Sequence, residues 1–363
     1  RSCPQVLSVA NDFVRNISVR LKSKPIVAIS KDDGWVQVTH HSSHYLYHPI
    51  VDELRRNGSQ GQVSVLTQTN EEAVILVALL RSYGMKAKLI QSMDDFPFWK
   101  LAEVRFFLKN IEKEIRGATV IADEVWEKVK FMTMKSYDGS TSLQYVRKCW
   151  ELFEKTTKIK YLSDFKECLY ESKIENFCDL TDARIVVSTI HRSKGREFDD
   201  VYMMLTKNKV ADDALIRLYY VGMTRAKKHL FIHTNGHLFD RLPANMQVVD
   251  EHLYEMPDEV VLQLSHMDGN LGFFTIRKSE VLKLRGGDSL VCKDDVLYPS
   301  GSGLPVAKLS IKMKETLSKW AERGYDVVSA SVRFVVAWRP QEASKDTPET
   351  AVLLPNMVLK KRG

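Results

Sequence analysis

A chain of 363 residues is too long for one small core, and at roughly 150 residues per domain it implies two or three. Hydrophobic residues at 44% and charged residues at 27% are ordinary globular values, which exclude a disordered or collagen-like chain. Lysine plus arginine exceed aspartate plus glutamate by 53 to 46, a formal +7; this suits a polyanionic partner such as nucleic acid, although many soluble proteins are equally basic. No stretch approaches about 18 uninterrupted apolar residues, and the longest, over 74–80, is closed by Arg81, so no transmembrane helix and no membrane partner are expected. The five cysteines form no C-x-x-C pair. They argue for a reducing, cytoplasmic setting and against a zinc site or a disulfide framework.

The chain opens on Arg1, with neither an initiator methionine nor a charged-then-apolar leader. This reads as a piece cut from a longer protein and not as a secretory signal. Ser2-Cys3-Pro4-Gln5 has the form of a capping box, and Val6, Val9, Ala10, Phe13 and Ile17 follow at helical spacing, so a helix of about four turns is expected. Arg1 would then sit at the mouth of a helix N-terminus, where anions are favoured. A strand over 63–66, a helix over 71–83 closed by Gly84 as a left-handed cap, and a strand over 86–90 come next. Strand, helix and strand in that order imply a parallel sheet covered by helices.

Over 117–177 the pattern changes. Lysine and glutamate intersperse with Val125, Trp126, Val129, Trp150, Leu152, Phe153, Phe165 and Leu169 at steps of three and four, as in a helical insertion whose aromatics form its core. Strands over 184–190 and 201–205, a helix over 213–221 and a strand over 230–233 then resume the α/β pattern. Pro257 marks a boundary. Beyond it, short alternating runs over 260–264, 281–284, 289–292, 327–338 and 351–354, with one amphipathic helix over 309–323, suggest a small β-rich, partly open barrel-like domain. The expected division is therefore 1–116 and 179–256 for the α/β domain, 117–178 for the insertion and 257–363 for the β-rich domain.

Two segments carry chemistry. In Thr189-Ile190-His191-Arg192-Ser193-Lys194-Gly195-Arg196-Glu197-Phe198, an apolar strand gives way to a polar turn at what should be the carboxyl edge of the sheet. Gly195 allows close backbone approach, Thr189, His191 and Lys194 offer donors for phosphate oxygens, and Glu197 offers an acceptor for a sugar hydroxyl. A basic surface turn is the competing reading. In Arg217-Leu218-Tyr219-Tyr220-Val221-Gly222-Met223-Thr224-Arg225-Ala226-Lys227, a buried helix would present Arg225 at its end. Such an arginine is usually a solvated charge. Held rigidly, its planar fork can instead spread over a transferring phosphoryl group.

Taken in order, Arg1-Ser2 with Ala10-Asn11, the Thr-x-His-x-x-Lys-Gly-x-Glu run and Tyr220-Val221-x-x-Thr224-Arg225-Ala226 closely resemble the C-terminal part of superfamily 1 DNA helicases of the UvrD/Rep/PcrA family. The likeness covers Arg1 to about Asn235. It implies an α/β fold in which a RecA-like parallel-sheet lobe with a short helical insertion precedes the β-rich domain. It also implies roles by position. Arg1 matches an arginine that contacts the γ-phosphate of ATP, and Arg225 matches the arginine finger. Glu197, with Gly195 beside it, matches the ribose-holding glutamate. Thr189 and His191 match residues close to the single-stranded DNA track, with Lys194 beside them. ATP with Mg2+ would be the nucleotide, and single-stranded DNA or DNA junctions the track. The partner would be the protein's own N-terminal RecA-like lobe. By the same resemblance the terminal β-domain would bind a partner protein.

No G-x-x-x-x-G-K-[ST] run occurs, so the phosphate-cradling loop and the Mg2+ ligands are expected in that other lobe, and this fragment alone should not hydrolyse ATP. Gln68 stands where the family often has an arginine, and the usual acidic pair is represented by Asp212-Asp213. A non-catalytic nucleic-acid-binding or adaptor module derived from such a lobe is the alternative. A nuclease fusion is disfavoured, because no carboxylate-rich motif follows Pro257. His40, His41, His44 and His48 crowd together, but Pro49 and the aromatic surroundings point to a surface segment rather than a metal site. Residues 278–323 carry nine basic and six acidic side chains, a small surplus that solvated hairpins also show.

Overall fold

The computed structural model describes residues 2–18, 24–30, 32–58, 61–90, 97–177, 184–206, 212–249, 255–340 and 347–363. Arg1, with its expected place at a helix mouth, lies outside them. Helix α1 (Pro4–Phe13) begins after Cys3, and no side chain caps it. The expected capping box at Ser2 therefore does not form. Instead, the Cys3 N–H donates to the Lys227 carbonyl at 2.8 Å and its Sγ to the Lys228 carbonyl at 3.3 Å. A 3-10 turn, Val14–Asn16, ends the segment. Strand β1 (Trp35–His41), helix α2 (Tyr47–Asn57), strand β2 (Val63–Thr67), helix α3 (Asn70–Ser82) and strand β3 (Ala87–Ile90) follow. Here a capping box is real: Thr69 Oγ1 accepts from the Glu72 N–H at 3.2 Å and the Glu72 carboxylate accepts from the Thr69 N–H at 2.8 Å. Gly84, at φ 74°, ends that helix as expected.

Four helices come next: α4 (Ala102–Ile115), α5 (Asp123–Ser136), α6 (Leu143–Thr156) and α7 (Leu162–Glu171). The α/β alternation resumes with β4 (Ile185–Thr189), β5 (Phe198–Leu205), α8 (Asp213–Met223), β6 (Ala226–Thr234) and β7 (Asn245–Val249). The last part holds β8 (Glu259–Gln263), α9 (Leu271–Ile276), α10 (Lys278–Val281), β9 (Ser289–Lys293), β10 (Val296–Pro299), β11 (Ala307–Lys308), α11 (Ile311–Glu322), β12 (Tyr325–Trp338) and β13 (Thr350–Lys361). The strand expected over 281–284 is instead the end of α10 and a turn. Val281 and Leu284 are buried while Leu282 between them is 46% exposed, a helical spacing that a four-residue run cannot distinguish from alternation.

The chain divides into two compact units, Arg1–Ser92 with Asp179–Asp258, and Met93–Cys178 with Glu259–Gly363. The helical segment thus groups with the C-terminal β-sheet, and residues 93–116, expected in the α/β domain, go with it.

The first unit is a parallel sheet in the order β3-β4-β2-β5-β6-β1-β7. Alternate residues point to opposite faces. On one face Val36, Val38, Leu66, Val201, Met203, Leu230 and Ile232 meet Val6, Val9 and Phe13 of α1 and Ile216, Tyr219 and Met223 of α8. The other face carries a buried polar chain. His41 Nε2 lies 3.1 Å from His233 Nδ1, and His233 Nε2 lies 3.3 Å from the Glu53 carboxylate of α2. Gln37 reaches Thr39 and Glu53, each at 3.1 Å. The histidine cluster is therefore part core and not wholly the surface segment expected: His41 is 6% exposed and His233 1%.

Burial, with His40 adding repulsion, pushes the His41 imidazole down to about 4, and burial moves His233 the same way. Because the folded pKa of His41 lies below its ordinary 6.5, its contribution to stability is complete above 6.5 and lost as pH falls toward 4. Glu53, pushed up chiefly by burial, offsets part of this. The His41 contribution amounts to at most about 3 kcal/mol between those limits. Urea titrations at pH 7 and 5 should show the loss, and His41→Gln should flatten it. Equal midpoints at the two pH values would contradict the assignment.

The second unit packs the four helices around Phe107, whose ring meets Trp126 at 5.1 Å, Trp150 at 4.8 Å and Phe165 at 5.6 Å. Trp126, Trp150, Phe153 and Phe165 are all at most 3% exposed, so these aromatics are core, as expected. The antiparallel sheet, in the order β11-β10-β9-β12-β13-β8, is curled, with irregular register between Val327 and Ser329 and between Val332 and Phe334. Helices and sheet interlock at Gly286. Its N–H donates to Ser140 Oγ at 3.0 Å, its carbonyl accepts from the Thr141 N–H at 2.8 Å, and both Ser140 and Ser142 donate to buried Glu103. A Cβ on residue 286 would stand 2.9 Å from the Ser142 nitrogen. Gly286→Ala should therefore cost about 1–3 kcal/mol of this unit's stability; a thermal melt matching the parent's would refute the close fit.

Candidate functional site

The candidate residues lie in the first unit. Thr189 ends β4 opposite Thr67 of β2 and is 7% exposed. The 3-10 turn Ile190–Ser193 follows, held by the Ser193 hydroxyl donating to the Ile190 carbonyl at 2.7 Å. Ile190 is buried in the core under α8, whereas His191 and Lys194 are exposed. Gly195 has φ +80°, a left-handed geometry that turns the chain back. The segment then enters β5 at Phe198, whose first rung is with Ala226 of β6. Thr189 thus stands at the carboxyl edge as expected, but Glu197 precedes β5 and Arg225 precedes β6. The turn crosses the sheet face, so these two lie at the amino edge. The reason is topological: a parallel crossover must return to the start of the next strand.

Arg225 is half-buried and held by its own surroundings. Its Nε donates to the Val221 carbonyl at 3.0 Å, one terminal nitrogen to the Arg196 carbonyl at 3.1 Å and the other to Thr224 Oγ1 at 3.3 Å. An arginine has five N–H groups, so the terminal nitrogens retain donors for an anion. Burial pulls its pKa down while the Glu197 carboxylate works the other way. The Phe198 N–H donates to the Arg225 carbonyl at 2.9 Å, fixing the two segments side by side.

Several residues support the site in ways that sequence reading did not assign. Gly222 lets α8 press onto the sheet: a Cβ there would stand 2.7 Å from the Met203 methyl and 3.2 Å from Ile190. The only signal was a glycine inside an apolar helix. Gln68 donates to the Tyr219 hydroxyl at 2.6 Å and accepts from the Thr206 N–H at 3.0 Å. Glu72 accepts from the Gln68 N–H at 3.0 Å and from Thr206 Oγ1 at 2.9 Å. Burial pushes the Tyr219 phenol up to about 12, so it is a neutral donor and acceptor here. Asp212 caps α8 through the Leu215 N–H at 2.8 Å, and Asp213 accepts from Ser18 Oγ at 2.8 Å, so the acidic pair is structural in these contacts. Among the described residues no group of three or more His, Cys, Asp or Glu is placed to hold a metal ion, and no helix is long and apolar enough to cross a membrane.

These features define a class: a doubly wound parallel α/β lobe with a polar crossover turn and a helix-end arginine, accompanied by a unit of helices and a curled antiparallel sheet. Residues 108–236 match the family described as the UvrD-like helicase C-terminal domain, a segment that includes both the turn and α8. The motif resemblance to the C-terminal part of these helicases and the family match agree over that segment. A solved structure, the C-terminal domain of a possible DNA helicase from Lactobacillus plantarum WCFS1, aligns with 68% of this chain and 97% of its own at 15% identity; its TM-score of 0.34 is too low to argue from. No curated protein matches.

Proposed function

We propose that this chain supplies the second RecA-like lobe of an ATP-dependent DNA helicase or translocase, whose N-terminal lobe binds most of the nucleotide and its Mg2+. The observation that carries this reading is the juxtaposition of Arg225 and Glu197 beside the open Gly195 turn, within the segment that matches the helicase family. Arg225 would meet the charge developing on the transferred phosphoryl group, and Glu197 would accept from a ribose hydroxyl. Arg1 would add a second guanidinium. Thr189, His191 and Lys194 would face the single-stranded DNA track.

The lobe also offers a route between the two ligands. The Gln68–Tyr219 bond ties the carboxyl edge to α8, and α8 ends at Met223, two residues before Arg225, while the 189–197 turn joins the same two edges. A shift of DNA at one edge would therefore be felt at the other through rigid elements. The test is ATP hydrolysis by the intact protein with and without single-stranded DNA. Stimulated turnover supports the reading, whereas DNA binding without turnover supports a non-catalytic adaptor.

A further inference from the structure

The helical segment of the second unit holds a cysteine pair that the helicase reading leaves unused. Helices α6 and α7 are joined by a short loop, and Phe153 of α6 meets Phe165 of α7 with ring centroids 5.0 Å apart. Cys149 lies one turn back from Phe153, and Cys168 one turn beyond Phe165. For helices running in opposite directions, those two steps arrive at the same level, on the next rung from the loop. That register turns the two thiols toward each other, and the Cys149 thiol acts on the Cys168 sulfur as a hydrogen-bond donor. Their surroundings differ. Cys149 is 1% exposed, whereas Cys168 is partly open to solvent.

We propose that Cys149 and Cys168 form a dithiol that hydrogen peroxide closes into a disulfide, clamping α6 to α7. The Cys168 thiolate attacks a peroxide oxygen: an S–O bond forms, the O–O bond breaks, and hydroxide leaves. Cys149 sulfur then attacks Cys168 sulfur; an S–S bond forms, the S–O bond breaks, and the departing hydroxide takes the Cys149 proton to become water. Each sulfur gives up one electron; the hydroxide released in the first step takes from solvent the proton that the Cys168 thiol lost on ionising, so one peroxide becomes two waters. The asymmetry assigns the roles. The Cys149 hydrogen bond, opposed by burial, brings the Cys168 thiol down to about 6, so it is largely thiolate at neutral pH and reacts first. That bond and burial raise the Cys149 thiol, which stays protonated until its neighbour is oxidised.

The experiment treats the full chain with hydrogen peroxide, blocks remaining thiols with iodoacetamide and maps the digest by mass spectrometry. The expected product is a linked peptide pair containing Cys149 and Cys168, lighter by two hydrogens and reversed by dithiothreitol. Without peroxide, Cys168 should alkylate on the order of tenfold faster than Cys292 at pH 7. In Cys149→Ser the sulfenic acid at Cys168 should persist and be trapped by dimedone, whereas in Cys168→Ser no linkage should form. Phenylarsenoxide, which needs two neighbouring thiols, reports the pair with no oxidation step; it should be retained by the unmodified chain and by neither variant. Oxidation that stops at sulfinic acid, a link to a different cysteine, or loss of arsenic retention in the unmodified chain would each overturn the proposal.

Discussion

If the proposed function holds, Arg225→Ala in the intact protein should lower ATP turnover by a factor on the order of 10³ to 10⁵ while leaving ATP binding nearly unchanged. The asymmetry follows from where the guanidinium would act under that proposal. An arginine that meets charge appearing only in the transition state contributes to turnover and little to ground-state affinity. The substitution also removes the bonds to the Val221 and Arg196 carbonyls, so a folding loss must be separated from a catalytic one. Arg225→Lys does this. Lysine keeps the charge and can reach one carbonyl, but it lacks the planar fork, so the lobe should melt near the parent temperature while turnover stays low. A Lys variant with full turnover, or an Ala variant that hydrolyses ATP normally, would remove Arg225 from the reaction.

Phe107→Ala should be the most damaging core change in the second unit, at about 3–5 kcal/mol. Its ring is 0% exposed and touches Trp126, Trp150 and Phe165, and those rings are themselves locked by their neighbours. Trp126 Nε1 donates to Glu154 at 2.6 Å, and Glu154 is bridged to Lys130 at 2.7 Å. A ring fixed by such bonds cannot slide into the vacated space, so a cavity remains. Urea unfolding followed by tryptophan fluorescence reads the site directly, because two indoles line it. A midpoint shift equivalent to under about 1 kcal/mol would mean that the cluster collapses around the loss.

Much of the fold was legible because local patterns and tertiary demands agreed. Residues 63–66, 184–190, 201–205 and 230–233 are largely apolar on both faces, as strands of a doubly covered parallel sheet must be, whereas 86–90 alternates Lys86 and Lys88 with Ala87 and Leu89; each lies in or largely overlaps an observed strand. Helix α8 was legible from its apolar run, and with it Arg225 at its end. Strand β1 was not, since Gln37, Thr39 and His41 make one of its faces look solvent-exposed. Only pairing with Glu53 and His233, distant in sequence, makes that face a buried network. Strand β7 escaped for the opposite reason: as an edge strand with Val248 82% exposed, it has almost no burial pattern to display.

The amino-acid order alone determined the alternation of strands and helices, the parallel sense of the first sheet, the aromatic core of the helical segment and the motifs at 189–197 and 220–226. These are properties of spacing along one chain. Only the tertiary structure decided that Glu197 and Arg225 both lie at the amino edge while Thr189 stands at the other, and that the helices around Phe107 join a sheet that begins well after them in the sequence. It alone set the Cys149 and Cys168 thiols against each other. Each of these depends on contacts between segments far apart in sequence, and such contacts are fixed by packing and backbone hydrogen bonding rather than by any local periodicity.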